Sequence, residues 1–131
     1  MLSPIELRNI AEARLGDAEA LFAVGRYDGA MYLCGYAVEL ALKARICQTL
    51  DWNSYPSTAG EFKGYQSFRT HDLDILLHLS GVENRIRLQY LVEWSAFSPW
   101  SPETRYQPIG TANRQDVQLM IKSARMLLGE L

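Results

Sequence analysis

An all-α fold is predicted on three observations. Apolar residues recur at intervals of three and four through most of the 131 residues, the period of a helix buried along one face. Strand-like alternation of apolar and polar residues occurs nowhere. The first two periodic segments are separated by only a few residues around Gly25, and so short a connection forces two helices to pack antiparallel. The expected architecture is an antiparallel up-and-down helical bundle of four long helices plus one short helix. It forms a single domain over 1–131, with a long loop at 51–69 and a Pro-rich connector at 98–110.

The first helix opens at "SPIE". Ser3 can cap, Pro4 occupies the first helical position where its missing N–H costs little, and Glu6 completes a capping box. Leu7, Ala11, Leu15, Ala18 and Phe22 form one apolar stripe, widened by Ile10 and Leu21, and Gly25 ends the helix. In the second helix, residues from Ala30 to Ala44 are apolar around most of the circumference, which predicts the central and most buried helix. Its one polar strip is Tyr32, Tyr36, Glu39 and Lys43. A Glu to Lys pair at i, i+4 on a solvated face contributes about 0.3–0.5 kcal/mol; the other reading makes the strip one wall of a polar groove.

Residues 51–69 show no period but hold Tyr55, Phe62, Tyr65 and Phe68, which would pin the loop over the end of the bundle and leave a mobile tip. Thr70 or His71 opens the short helix, with Asp72 and Asp74 in its first turn and Gly81 as its stop. A long helix is expected from about Val82 to Phe97, with Ile86, Tyr90, Trp94 and Phe97 near one face and Leu88, Leu91 and Val92 beside them. Pro99 and Pro102 end it. Thr111 is the expected cap of the last helix, whose stripe is Val117, Met120, Ile121, Ala124, Leu127 and Leu128. Apolar residues left over, including Trp94, Trp100 and Met126, are available for a dimer interface.

Composition bounds the function. Hydrophobic content of 48% and charged content of 21% are ordinary globular values, and a chain of 131 residues suffices for a core without staples. A net charge of −2 argues against a protein that coats nucleic acid through bulk positive potential, while leaving a local basic face open. Cys34 and Cys47 lie on one predicted helix, roughly 20 Å apart along its axis, too far for a disulfide. They read as reduced, core-packed thiols, and together with a start that lacks signal-peptide character they point to a cytoplasmic, non-membrane protein.

Three segments resemble the HEPN family (higher eukaryotes and prokaryotes nucleotide-binding), small helical bundles common in prokaryotes. "GRYDGAMYLCGYAVELALKARI" is similar to the family's central hairpin, "RTHDLDILL" to its His-Asp-Leu helix start, and "WSPETRY" to its Trp, Arg-Tyr connector. The resemblance implies a HEPN-like bundle, homodimerisation, and a role in nucleotide or RNA chemistry, beside a nucleotidyltransferase-type partner in toxin–antitoxin-like pairs. Many members are metal-independent ribonucleases with an Arg followed, after four to six residues, by His. Here the corresponding positions after Arg105 are Gly110, Thr111 and Ala112. Those before His71 are Gly64, Tyr65 and Gln66, and those before His78 are His71, Asp72 and Leu73. Neither histidine has the arginine, so catalysis by that route is not expected.

Candidate ligand or partner residues are Glu39, Lys43, His71, Asp72, Arg105 and Tyr106, which form a polar groove if the hairpin, the helix start and the connector converge as the resemblance suggests. Arg105 and Tyr106, stiffened by Pro102 and Pro108, suit a phosphate or carboxylate and a stacked base; alternatively Arg105 bridges to Glu39 and locks the connector. Arg114, Lys122 and Arg125, with Gln118, make a basic strip on the last helix that either contacts phosphates or is a solvated face. His71, Asp74 and His78 share spacings that suit a divalent metal, but three ligands on one helix seldom close a site, and no metal or cofactor is assigned. Catalytic residues are likewise not assigned. The leading expectation is a non-catalytic nucleotide- or RNA-associated binding module. The alternatives are a ribonuclease or other nucleotide-processing enzyme using Glu39, Lys43, His71 and Arg105, and a structural protein-interaction adaptor.

Overall fold

The computed structural model describes residues 1–131. Six α-helices, α1 Pro4–Ala23, α2 Tyr27–Leu50, α3 Leu73–Leu79, α4 Glu83–Gln89, α5 Leu91–Ser95 and α6 Arg114–Glu130, are joined by loops that include two short 3-10 turns, Gln66–Phe68 and Pro102–Tyr106. The sole extended pairing is an isolated backbone bridge between Leu2 and Tyr55.

The capping box forms as expected: Glu6 N–H donates to Ser3 Oγ at 3.2 Å and Ser3 N–H to Glu6 Oε2 at 2.7 Å. Leu7, Ala11, Leu15 and Ala18 are buried along α1. Gly25, at φ +78°, takes the left-handed turn that lets α2 run back antiparallel. Thirteen of the residues of α2 are buried, so it is the central helix, and α1 and α6 pack on it. One core of 31 buried apolar residues runs through all six helices and takes in Tyr55, Phe62 and Trp100 from the loops. Cys34 and Cys47 are free and buried in it, and burial pushes the Cys34 thiol up to about 12. Such a thiol stays protonated and unreactive.

The long loop is pinned by its aromatics. Trp52 packs against Tyr55, Tyr65 and Phe68, with ring centroids 6.1, 5.4 and 4.8 Å away. Tyr55 is buried and donates its hydroxyl to the Phe68 carbonyl at 2.6 Å. This plug closes the bundle end beside Lys43, whose ammonium lies 5.4 Å from the centre of the Tyr55 ring.

Four details depart from the sequence expectation. The helix expected over 82–97 is bent at Tyr90 (φ −128°, ψ 36°) into α4 and α5, although Tyr90 N–H still reaches Ile86 O and Trp94 N–H reaches Tyr90 O, both at 2.8 Å. The bend lays α5 on α6 and turns Trp94 and Phe97 inward, while Leu88, Leu91 and Val92 face outward rather than beside the core. Trp94, and Trp100 from the connector, are buried in the core rather than left over for a dimer interface, whereas Met126 is exposed. Asp72, rather than Thr70 or His71, starts α3, its Oδ1 accepting from the N–H groups of Asp74 and Ile75 at 2.9 and 3.2 Å. Asn113, rather than Thr111, caps α6 by accepting from Asp116 N–H at 2.9 Å.

The Pro-rich connector is tied to α2 at two points. Trp100, 7% exposed, lies flat on the bare backbone at Gly35 and donates its indole N–H to the Tyr32 carbonyl at 3.2 Å. Asp28 accepts from the N–H groups of Gly110 and Ala112 at 2.7 and 3.0 Å, and these bonds hold its carboxyl below the usual range. A depressed folded-state pKa contributes stability that is fully present above the unfolded value, near 3.8, and is lost as pH falls through the folded value. Asp28→Ala is thus expected to lower the melting temperature at neutral pH, with the gap to wild type closing below about pH 4. Paired melting curves from pH 7 to pH 2.5 check this; a gap that widens with acid contradicts it.

Candidate functional site

A cleft of about 960 Å³ opens between α2, the start of α3, α5 and the connector. Tyr32, Tyr36 and Glu39 line it from α2, so three of the four members of the α2 polar strip face a groove rather than bulk solvent. The Tyr32 and Tyr36 rings are parallel to within 2° at 6.3 Å, and the Trp100 ring follows at 6.5 Å from Tyr32. Burial, then the Glu39 charge, raises the pKa of the Tyr36 phenol.

Glu39 is the floor of this cleft and the most buried charged residue of the protein, with 2% of its side chain exposed. Its Oε2 accepts from Lys43 Nζ at 3.1 Å and sits 3.0 Å from His71 Nδ1. The Lys43 side chain is itself only 13% exposed. The pair is therefore not the solvated i, i+4 bridge of a few tenths of a kcal/mol: in a buried pair each partner is needed to offset the desolvation of the other. His71 is brought in from 32 residues away by the Asp72 cap of α3, and its ring is 64% exposed toward the cleft.

Guanidinium groups flank the floor. Arg87 is paired with Asp74 at 3.2 Å and Glu83 at 3.2 Å, and Asp74 also accepts the Trp94 indole N–H at 3.1 Å. Arg69 and Arg105, by contrast, meet no carboxylate. Arg69 lies over Phe62 at 5.8 Å, and Arg105 lies over Tyr106 at 4.8 Å with Nη1 3.4 Å from the Tyr32 hydroxyl. The alternative bridge from Arg105 to Glu39 does not form: the carboxylate meets Lys43 and His71, both through Oε2, and Arg105 meets Tyr32. Ser95, Ser98, Ser101 and Thr70 add hydroxyls to the wall.

Of the six groove candidates, Glu39, His71, Asp72 and Arg105 line the cleft together; Lys43 supports the floor from beneath, and Tyr106 stands outside with its ring 74% exposed. The basic strip of α6 divides. Arg125 is held by Glu12 at 2.6 Å and by Glu19, while Arg114 lies over the Phe22 ring at 5.6 Å. That leaves Lys122 as the strip's one cation with neither a carboxylate nor an aromatic partner. His71, Asp74 and His78 engage three separate partners, Glu39, Trp94 with Arg87, and Glu83. No three His, Cys, Asp or Glu side chains converge in a way that would hold a metal ion. Arg69, Arg87 and Trp94 are not among the groove candidates read from the sequence; the position of Arg69 two residues before His71 is the one local signal that places it here.

Fold and site together define an all-α bundle protein with a polar, aromatic-walled cleft over a buried carboxylate. Residues 5–60 match the family model of the HEPN domain, which covers α1, α2 and the first part of the aromatic loop. The part of the chain similar to the HEPN domain is thus the α1–α2 hairpin, which supplies the cleft floor. No curated protein and no solved structure matched the chain. No helix is long and apolar enough to cross a membrane.

Proposed function

We propose that residues 1–131 form one HEPN-like domain whose cleft binds a nucleotide or a short stretch of RNA without cleaving it by the family's Arg-to-His chemistry. One observation carries this reading: Arg69 and Arg105, free of carboxylates, flank a wall of parallel aromatic rings. Unpaired guanidiniums offer forked donors to phosphate oxygens, and exposed ring faces stack bases irrespective of sequence. The arginines would hold phosphates while Tyr32 and Tyr36 take the base.

Arg69→Ala and Arg105→Ala are each expected to weaken binding of a labelled oligoribonucleotide about tenfold, the scale of one charge-assisted contact, and to flatten its salt dependence. Both side chains are surface groups, so melting temperatures stay near wild type. Fluorescence anisotropy across a salt series checks the affinity. Unchanged affinity with a lowered melting temperature would instead support the structural adaptor.

The pairing of His71 with buried Glu39 favours a second reading, a nucleotide-processing enzyme in which the imidazole moves a proton. RNA breakdown that disappears in His71→Ala would establish it. The wider setting we propose is a cytoplasmic homodimer working with a nucleotidyltransferase-type partner in a toxin–antitoxin-like pair. The exposed Leu88, Leu91 and Val92, close together along α4 and α5, support the dimer by offering apolar side chains to a partner copy. Sedimentation equilibrium of wild type and Leu91→Glu tests that surface.

A further inference from the structure

The two nitrogens of His71 have different surroundings, and the difference bears on which sugar the cleft accepts. Glu39 Oε2 lies 3.0 Å from Nδ1. A carboxylate has only acceptors to offer, and the same oxygen also accepts from the Lys43 ammonium at 3.1 Å. In the neutral ring the proton therefore sits on Nδ1, and the second nitrogen, Nε2, is left with a lone pair. Nε2 has no partner in the protein, and the ring lines the cleft. Of the neighbouring carboxylates, Asp72 Oδ1 caps α3 and Asp74 Oδ1 takes the Trp94 indole and Arg87. Next to guanidinium donors suited to phosphate, the cleft thus places an acceptor suited to a hydroxyl.

Resting on the nucleotide reading above, we propose that His71, held in one tautomer by Glu39, accepts a hydrogen bond from a ribose 2′-hydroxyl and makes the cleft selective for ribonucleotides over deoxyribonucleotides. The 2′-hydroxyl is the group by which a protein tells RNA from DNA at a given site. Arg69 and Arg105 bind the phosphates that both share, so they set affinity, and His71 sets the preference. Because the ring is largely exposed, the loss on removing the hydroxyl is that of one net hydrogen bond, about tenfold. The far larger rejection seen in closed pockets, where a buried polar group is left unpaired, is not expected.

The experiment compares three labelled oligonucleotides of equal length and sequence at one salt concentration: ribo, deoxyribo and 2′-fluoro. The 2′-fluoro sugar keeps an RNA-like shape but cannot donate. In wild type the ribo strand is expected to bind about tenfold tighter than both others. In His71→Ala, ribo affinity falls to the deoxyribo value while deoxyribo affinity is unchanged. Equal binding of ribo and 2′-fluoro strands by wild type, or a ribo preference that survives in His71→Ala, overturns the inference while leaving the binding reading intact. Failure of all three strands to bind overturns the nucleotide reading itself, and the inference with it.

Discussion

Replacing Lys43 by methionine is expected to destabilise the protein by about 3 kcal/mol, the cost of leaving one member of a buried ion pair uncompensated. For a domain of this size the loss corresponds to a melting temperature roughly 10 °C lower. The physical cause is the setting of Glu39. Its side chain is 2% exposed, and without the ammonium its charge would be compensated only by His71, whose ring is 64% exposed. The change also removes the ammonium from the Tyr55 ring, loosening the aromatic plug at the bundle end. A second substitution separates charge from packing. Lys43→Met with Glu39→Leu removes the stranded carboxylate, so the double variant recovers most of the lost stability. Chemical denaturation of the four proteins in the cycle measures this. A loss of only a few tenths of a kcal/mol in Lys43→Met would return the pair to the class of solvated surface bridges.

Gly35→Ala is expected to cost about 1–3 kcal/mol, the range for forcing added volume into a packed site, and to disturb the cleft more than its stability effect suggests. A Cβ at Gly35 would lie 2.2 Å from the Trp100 indole, so the ring must lift from α2. Lifting it breaks the bond to the Tyr32 carbonyl and ends the aromatic series that runs through Tyr32 to Tyr36. The connector then keeps its anchor at Asp28 but loses the one at Trp100. Oligoribonucleotide affinity should fall with the melting temperature, and the tryptophan emission should shift to longer wavelength. Gly16→Ala is the control: a Cβ there meets nothing within 4 Å, and Ala is the better helix former.

Elements whose cause is local were legible from the sequence. Ser3, Pro4 and Glu6 announce the start of α1 within four residues, and Gly25 and Gly81 mark turns that need positive φ. The apolar girth of α2 predicted its central place for the same reason: a helix without a wet face has nowhere else to go. The bend at Tyr90 carries no proline or glycine. It arises from laying α5 on α6, a tertiary demand with no local signature, and it was missed together with the outward turn of Leu88, Leu91 and Val92. Thr111 and Asn113 are both capping residue types two positions apart, and backbone geometry alone separates them.

The site divides in the same way. Spacing placed Tyr32, Tyr36, Glu39 and Lys43 on one strip, but whether that strip is wet depends on Tyr55, from a loop with no period, and on His71, from the start of α3. Arg105 stands at the cleft on Tyr32 rather than Glu39. Which cation reaches the carboxylate is a matter of three-dimensional placement. Arg125 read as part of a basic face until α1 supplied Glu12 and Glu19.

The most direct test of the central claim, that the cleft over Glu39 is where nucleotide or RNA binds, is to follow the three tryptophan indole N–H signals by NMR during titration with an oligoribonucleotide. The N–H groups of Trp94 and Trp100 form hydrogen bonds in the cleft wall, to Asp74 and to the Tyr32 carbonyl. Trp52 belongs to the aromatic plug and does not line the cleft. The prediction is that the Trp94 and Trp100 signals move together and saturate while Trp52 stays in place. Binding that moves Trp52 alone, or that leaves all three unmoved, would contradict it.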